Sequence, residues 1–119
     1  MDNRLTHRVN VEELLARTEN DRELLRELLS IFVDEFPLKL KVLRDAALRG
    51  DLSQVAVASH ALKGMLSNLS IAKAASSAAT LERTARSGQL AAVQRLLAEF
   101  EQETQGLVPE VQAQIEEAP

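Results

Sequence analysis

The chain has 119 residues, 45% of them hydrophobic and 27% charged, with a formal net charge of -4. This is the size and make-up of one globular domain with its own apolar core. It has no cysteine, which excludes disulfides and thiolate chemistry, and its fourteen Lys and Arg are scattered among eighteen acids, unlike the basic footprint of a nucleic-acid binder.

Residues 1–9 are polar, with a short basic cluster at Arg4, His7 and Arg8. They lack the apolar segment of a secretion signal and read as a flexible leader. No apolar run approaches the roughly 18 residues of a membrane span. With cysteine absent, a cytoplasmic location is the expectation. Ala, Leu, Glu, Gln and Arg, all good helix formers, dominate the rest, which points to an all-α fold.

Asn10, with Glu13 three residues on, has the spacing of a helix cap and opens a short helix over Val11–Arg17. Asn20-Asp21 opens the next. There Leu25, Leu28, Phe32, Phe36, Leu40, Leu43 and Ala47 recur every three or four residues as an apolar stripe ending at Gly50. Pro37 interrupts that stripe, and its missing N–H predicts a kink or short break. Asp51 caps a third helix whose buried face is Leu52, Val55, Ser59, Leu62, Leu66 and Leu69. A tight connection at Ser70-Ile71 leads to an alanine-rich helix over Ala72–Arg86, stopped by Ser87-Gly88.

A last long helix starts near Gln89, with Leu90, Val93, Leu97, Phe100, Thr104 and Leu107 facing inward. Gly106 and Pro109 end or bend it. In the tail, residues 108–119, Val111 and Ile115 could continue the stripe as a short helix. Four long helices joined by short turns must be antiparallel neighbours. The expected architecture over residues 10–107 is therefore an antiparallel up-and-down four-helix bundle with a short additional N-terminal helix.

The third helix carries the most informative residues. At about 100° per residue, Leu62 and Leu69 lie opposite His60, while Lys63 and Gly64 flank it within about 60°. Ser53, Ala56 and Ser67 complete that side, so the imidazole should stand in solvent among small residues. A neutral imidazole is a nucleophile near pH 7, since its unperturbed pKa is about 6.5. Lys63, one turn on, can offer a mobile positive charge to a phosphoryl group. Gly64 removes bulk beside the ring so that a large partner can approach. Phosphoryl transfer asks mainly for positioning and charge, so few residues suffice. A lone surface histidine is most often only solvated, and a helix-interior glycine, costing about 1 kcal/mol, can serve packing instead.

Other chemistries lack their parts. The positions three and four residues from His60 are Ala56, Val57, Lys63 and Gly64, so the Glu-x-x-His spacing of a di-metal bundle is missing. Two histidines and no cysteine leave no protein-built metal site. Ser59 diverges from its neighbour His60, and Ser53 and Ser67 lie about 10 Å away along the axis, so no nucleophile–base pair forms. No Gly-rich phosphate loop appears. His7 has no supporting pattern.

The run His60-Ala-Leu-Lys-Gly-Met-Leu-Ser-Asn-Leu69, followed by Leu81-Glu-Arg-Thr-Ala-Arg-Ser-Gly88, resembles the histidine-containing phosphotransfer (HPt) domain family. The run from Leu28 to Pro37 is similar to that family's first bundle helix, and Gly50-Asp51-Leu52 to the entry of its histidine helix. The likeness covers about residues 11–103. It implies that His60 accepts a phosphoryl group from the aspartate of one receiver domain, through the ring nitrogen furthest from the backbone, and passes it to another in a multistep relay.

By the same likeness Lys63 steadies the phosphate, Gly64 opens the approach, Glu82 faces the histidine from the neighbouring helix and Arg86 adds positive charge. Ala56, Val57 and Ser67 would form the docking surface, with a contribution from the first bundle helix. The implied partners are response-regulator receiver domains, of a hybrid histidine kinase and a downstream regulator. Magnesium is expected in the receiver and no cofactor in this chain, a monomeric phosphocarrier without kinase activity of its own. The initial Met and the set of capped helices favour a free-standing protein.

Met65 and Ser70 depart from the small residue and the glycine common in the family at those places. Two alternatives stay open: Glu82 and Arg86 as an ordinary i, i+4 surface pair, and the chain as a helical adaptor that binds receiver domains or other partners without phosphoryl transfer.

Overall fold

The structure is a computed structural model that describes residues 9–117. Arg4, His7 and Arg8 lie outside the described residues; Val9, at the end of the expected leader, is buried. Six helices follow in chain order: α1 (Val11–Arg17), α2 (Arg22–Arg49), α3 (Leu52–Asn68), α4 (Ala72–Arg86), α5 (Leu90–Thr104) and α6 (Leu107–Glu117). No strand occurs among the described residues.

The helix starts follow from local chemistry. The side chains of Asn10, Asp21 and Asp51 each accept a hydrogen bond from the backbone N–H three residues on, at 3.0, 2.9 and 3.1 Å, satisfying donors that the first turn leaves free. Gly50 ends α2 with φ 70°, a left-handed conformation that a Cβ disfavours.

Of the kink or short break expected at Pro37, the break does not occur; α2 runs through it as one helix of 28 residues. Pro37 sits on the exposed side, where the carbonyl it deprives of a partner can turn to water. At 1.5 Å per residue this rod is about 42 Å long, close to the 45 Å longest extent of the molecule.

α2 packs against α3 and α6, α3 against α4, and α4 against α5, closing an antiparallel four-helix bundle fronted by α1. α5 and α6 together make its fourth rod, with a turn at Gly106 (φ 78°) between them. Pro109 lies in the first turn of α6, where its missing N–H has no partner to lose. Residues 107–117 are thus helical, and Leu107 and Val111 are fully buried. Phe32 and Phe36 stack at 4.9 Å between centroids, and with Leu43, Val55, Leu62, Leu66, Leu81, Val93 and Phe100 they form one continuous core. Each such side chain contributes roughly 1.5–3 kcal/mol when fully buried.

The α3–α4 pair matters most for the site. Four of the six buried positions of α4 are alanines: Ala74, Ala75, Ala78 and Ala85. Their small side chains let the two helices approach closely. The turn between them puts Ser70 in the left-handed region (φ 57°), where its hydroxyl accepts a hydrogen bond from the Arg17 guanidinium at the end of α1.

Candidate functional site

His60 projects from the outer side of α3, 63% exposed, at the edge facing α4. Across the seam Glu82 occupies a buried position of α4, its side chain only 11% exposed. Its carboxylate is the hub of the site. Oε1 lies 3.2 Å from His60 Nδ1 and 3.3 Å from Lys63 Nζ. Oε2 accepts two hydrogen bonds from Arg86, from Nε at 3.2 Å and Nη2 at 2.9 Å.

Burial works to raise the pKa of Glu82, but hydrogen bonds from Arg86, His60 and Lys63, with the charge of Lys63, outweigh it and hold the carboxyl at about 2. The group is therefore ionised at neutral pH and can only accept. In the neutral ring that requires Nδ1 to carry the proton, which leaves the lone pair on Nε2, the nitrogen turned away from α4. A buried carboxylate thus fixes both the orientation and the tautomer of an exposed imidazole.

Lys63 is half-buried and tied to Glu82 rather than free beside the ring. Gly64 is open: a Cβ built there would meet nothing within 4 Å. No neighbour among the described residues demands a glycine at this position. Ala56 stands differently from the sequence expectation. It is only 6% exposed, because its methyl turns toward α4; it lines a hollow with Leu52, Ser53, Val57, Ala85 and Arg86. Val57 and Ser67 are exposed. Ser67 borders a second, shallower groove that runs past Lys63 to Ser70 and Ser76.

The sequence reading passed over one feature of this surface. Leu24, Ile31, Leu38 and Val42 of α2 are exposed large apolar residues. Their spacings of seven, seven and four put them within about 40° of one another on the helix, and that periodicity was the available signal. Arg44, about 160° from Leu24 around α2, reaches Glu101 of α5 at 2.8 Å. The apolar stripe therefore lies on the other flank, toward α3.

Among the described residues no group of three or more His, Cys, Asp or Glu could hold a metal ion, and no helix is long and apolar enough to cross a membrane. The fold and the site together define an all-helical module that presents one oriented imidazole on an open face. The Hpt domain family model matches residues 27–118, and the chain belongs to that family. Hpt domains serve histidine phosphotransfer in phosphorelays; they are phosphocarriers rather than kinases, and they meet the receiver domains of response regulators. The chain matches no curated protein and no solved structure.

Proposed function

We propose that this chain relays a phosphoryl group between receiver-domain aspartates, with His60 Nε2 as the acceptor. The donor is the receiver of a hybrid histidine kinase and the acceptor a downstream regulator, in a multistep cytoplasmic relay in which this chain acts as a monomer. The receiver brings the magnesium that shields its aspartyl phosphate. This chain brings the nucleophile and its setting, and binds no cofactor of its own.

The observation that carries the reading is the open space at Gly64 beside an oriented ring. A glycine inside a helix costs about 1 kcal/mol relative to alanine, and nothing among the described residues calls for one here. Its use lies outside, in letting a partner bring an aspartate in line with Nε2. Lys63 then serves the phosphoryl oxygens, exchanging part of its hold on Glu82 for the new anion. Glu82 acts as the positioning residue for the ring, and Arg86 holds Glu82 from behind.

The docking face extends from Val57, Gly64 and Ser67 of α3 onto the apolar stripe of α2. A protein interface of standard size takes about 800 Å² from each partner, which is broad enough to span both helices around His60. Ala56 contributes as the floor of the hollow beneath Val57.

The test is to incubate the protein with a receiver carrying labelled phosphate. Label should appear on the parent as acid-labile, alkali-stable phosphate and be absent from His60→Gln. Equal labelling of the two would overturn the assignment. Receiver binding without any labelling of the parent would make the chain an adaptor.

A further inference from the structure

The carboxylate under the histidine has a consequence for the proton balance of the transfer itself. We propose that Glu82 keeps the Nδ1 proton on the His60 ring through both directions of transfer, so that the phosphoryl group enters and leaves Nε2 with no proton taken up or released. This rests on His60 being the phosphoacceptor.

On arrival, the Nε2 lone pair forms the N–P bond while the bond from phosphorus to the receiver's carboxyl oxygen breaks, its electron pair staying on that oxygen. The ring, which already carries Nδ1–H, becomes a cation. Oε1 of Glu82, 3.2 Å from Nδ1, faces that charge directly. On departure the N–P pair returns to Nε2 and the ring leaves as the neutral Nδ1–H imidazole. A ring that had lost its Nδ1 proton would instead have to leave as imidazolate, a far poorer leaving group. A carboxylate that favours the protonated phosphohistidine thus keeps the carrier able to discharge.

The other charges around the ring fit this role. Arg86 engages only Oε2, leaving Oε1 to the imidazole. Lys63, from α3 itself, shares Oε1 at 3.3 Å and opposes the ring's charge; Glu82 is the anion that offsets it. On α2, the other helix packed against α3, Lys41 pairs with Asp45 and Arg44 with Glu101. No side chain of α2 is hydrogen-bonded to the imidazole among the described residues. A neutral amide at position 82 would accept the same hydrogen bond without the charge, so charge and shape can be separated.

The experiment compares the parent with Glu82→Gln, each phosphorylated on His60 by a receiver or by phosphoramidate, a small phosphodonor. Transfer to fresh receiver is followed from pH 6 to 9, with ¹⁵N spectra of the ring recorded over the same range. The parent should keep its Nδ1 proton, and a flat transfer rate, to higher pH than Glu82→Gln. Past its own breakpoint the variant's rate should fall by about tenfold per pH unit, following the loss of that proton. Identical profiles and identical ring titrations would overturn the proposal while leaving His60 as carrier; absence of phosphate from His60 in the parent would instead defeat the underlying reading. Should Glu82→Gln fail to fold, Glu82→Asp, which withdraws the carboxylate by one methylene, is read in the same way.

Discussion

Glu82 Oε1 stands 3.2 Å from His60 Nδ1, although the two residues are 22 positions apart in the chain and sit on different helices. Glu82 also gathers Lys63 and Arg86. One buried acid therefore draws three side chains together beside an exposed imidazole.

That arrangement predicts a specific acid dependence. The unfolded chain binds a proton at Glu82 near the ordinary value of 4.5, whereas the folded protein resists protonation until about 2. The stability contributed by its ion pairs is whole above about pH 4.5 and is lost as pH falls through about 2. Glu82→Gln should therefore be less stable than the parent at pH 6, with the gap closing between these two values. Urea unfolding at several pH values reads this; a gap that stays constant down to pH 2 would refute it.

Gly64 should separate stability from function. A Cβ at this position meets open space, so Gly64→Ala is expected to stabilise the fold by about 1 kcal/mol through helix propensity alone. Gly64→Gln should fold as well as the parent yet transfer phosphate at least about tenfold more slowly, a loss of about 1.4 kcal/mol in the transition state. Thermal melts and transfer kinetics on the same samples check both halves.

Ser59, next to His60 in sequence, points the other way. Its side chain is fully buried, and its hydroxyl has no hydrogen-bond partner among the described residues. An unsatisfied buried hydroxyl costs about 1–3 kcal/mol, so Ser59→Ala should raise stability by about 1 kcal/mol with phosphotransfer unchanged. A destabilised variant would mean that the hydroxyl is satisfied in solution.

The apolar stripe of α2 gives the docking prediction. Leu38 is 61% exposed, so Leu38→Glu should change folding stability by no more than about 0.5 kcal/mol. It should nevertheless slow transfer from a receiver about tenfold or more, while labelling by phosphoramidate is unaffected. Leu48, also exposed but about 80° around the helix from Leu38, is the control: Leu48→Glu should transfer normally. Equal effects at the two positions would remove α2 from the interface.

Much of the fold was legible in the chain because its signals are local. The caps at Asn10, Asp21 and Asp51 and the stop at Gly50 mark helix boundaries within a few residues of where they act. The 3.6-residue periodicity of α3 likewise puts Leu62 inside and His60 outside without reference to any other helix. Pro37 left a kink and a break as alternatives because proline's effect depends on whether the carbonyl it frees faces water; how α2 lies on the bundle excluded the break. Ala56 misled because an alanine is apolar enough for either face; the approach of α4 settled it.

His60, Lys63 and Gly64 stand within five residues of one another, so the sequence by itself determined that they share a face. Local pattern did not reach what lies beneath them, where only the family likeness set Glu82. The meeting of Glu82 with His60 and Lys63 depends on the close approach of α3 and α4 across their alanines, a long-range packing outcome that no local pattern encodes. The tertiary structure alone therefore decided the electrostatics of the imidazole: a carboxylate stripped of most of its water, kept ionised by three cationic or donating neighbours, and aimed at one ring nitrogen so that the other faces the solvent.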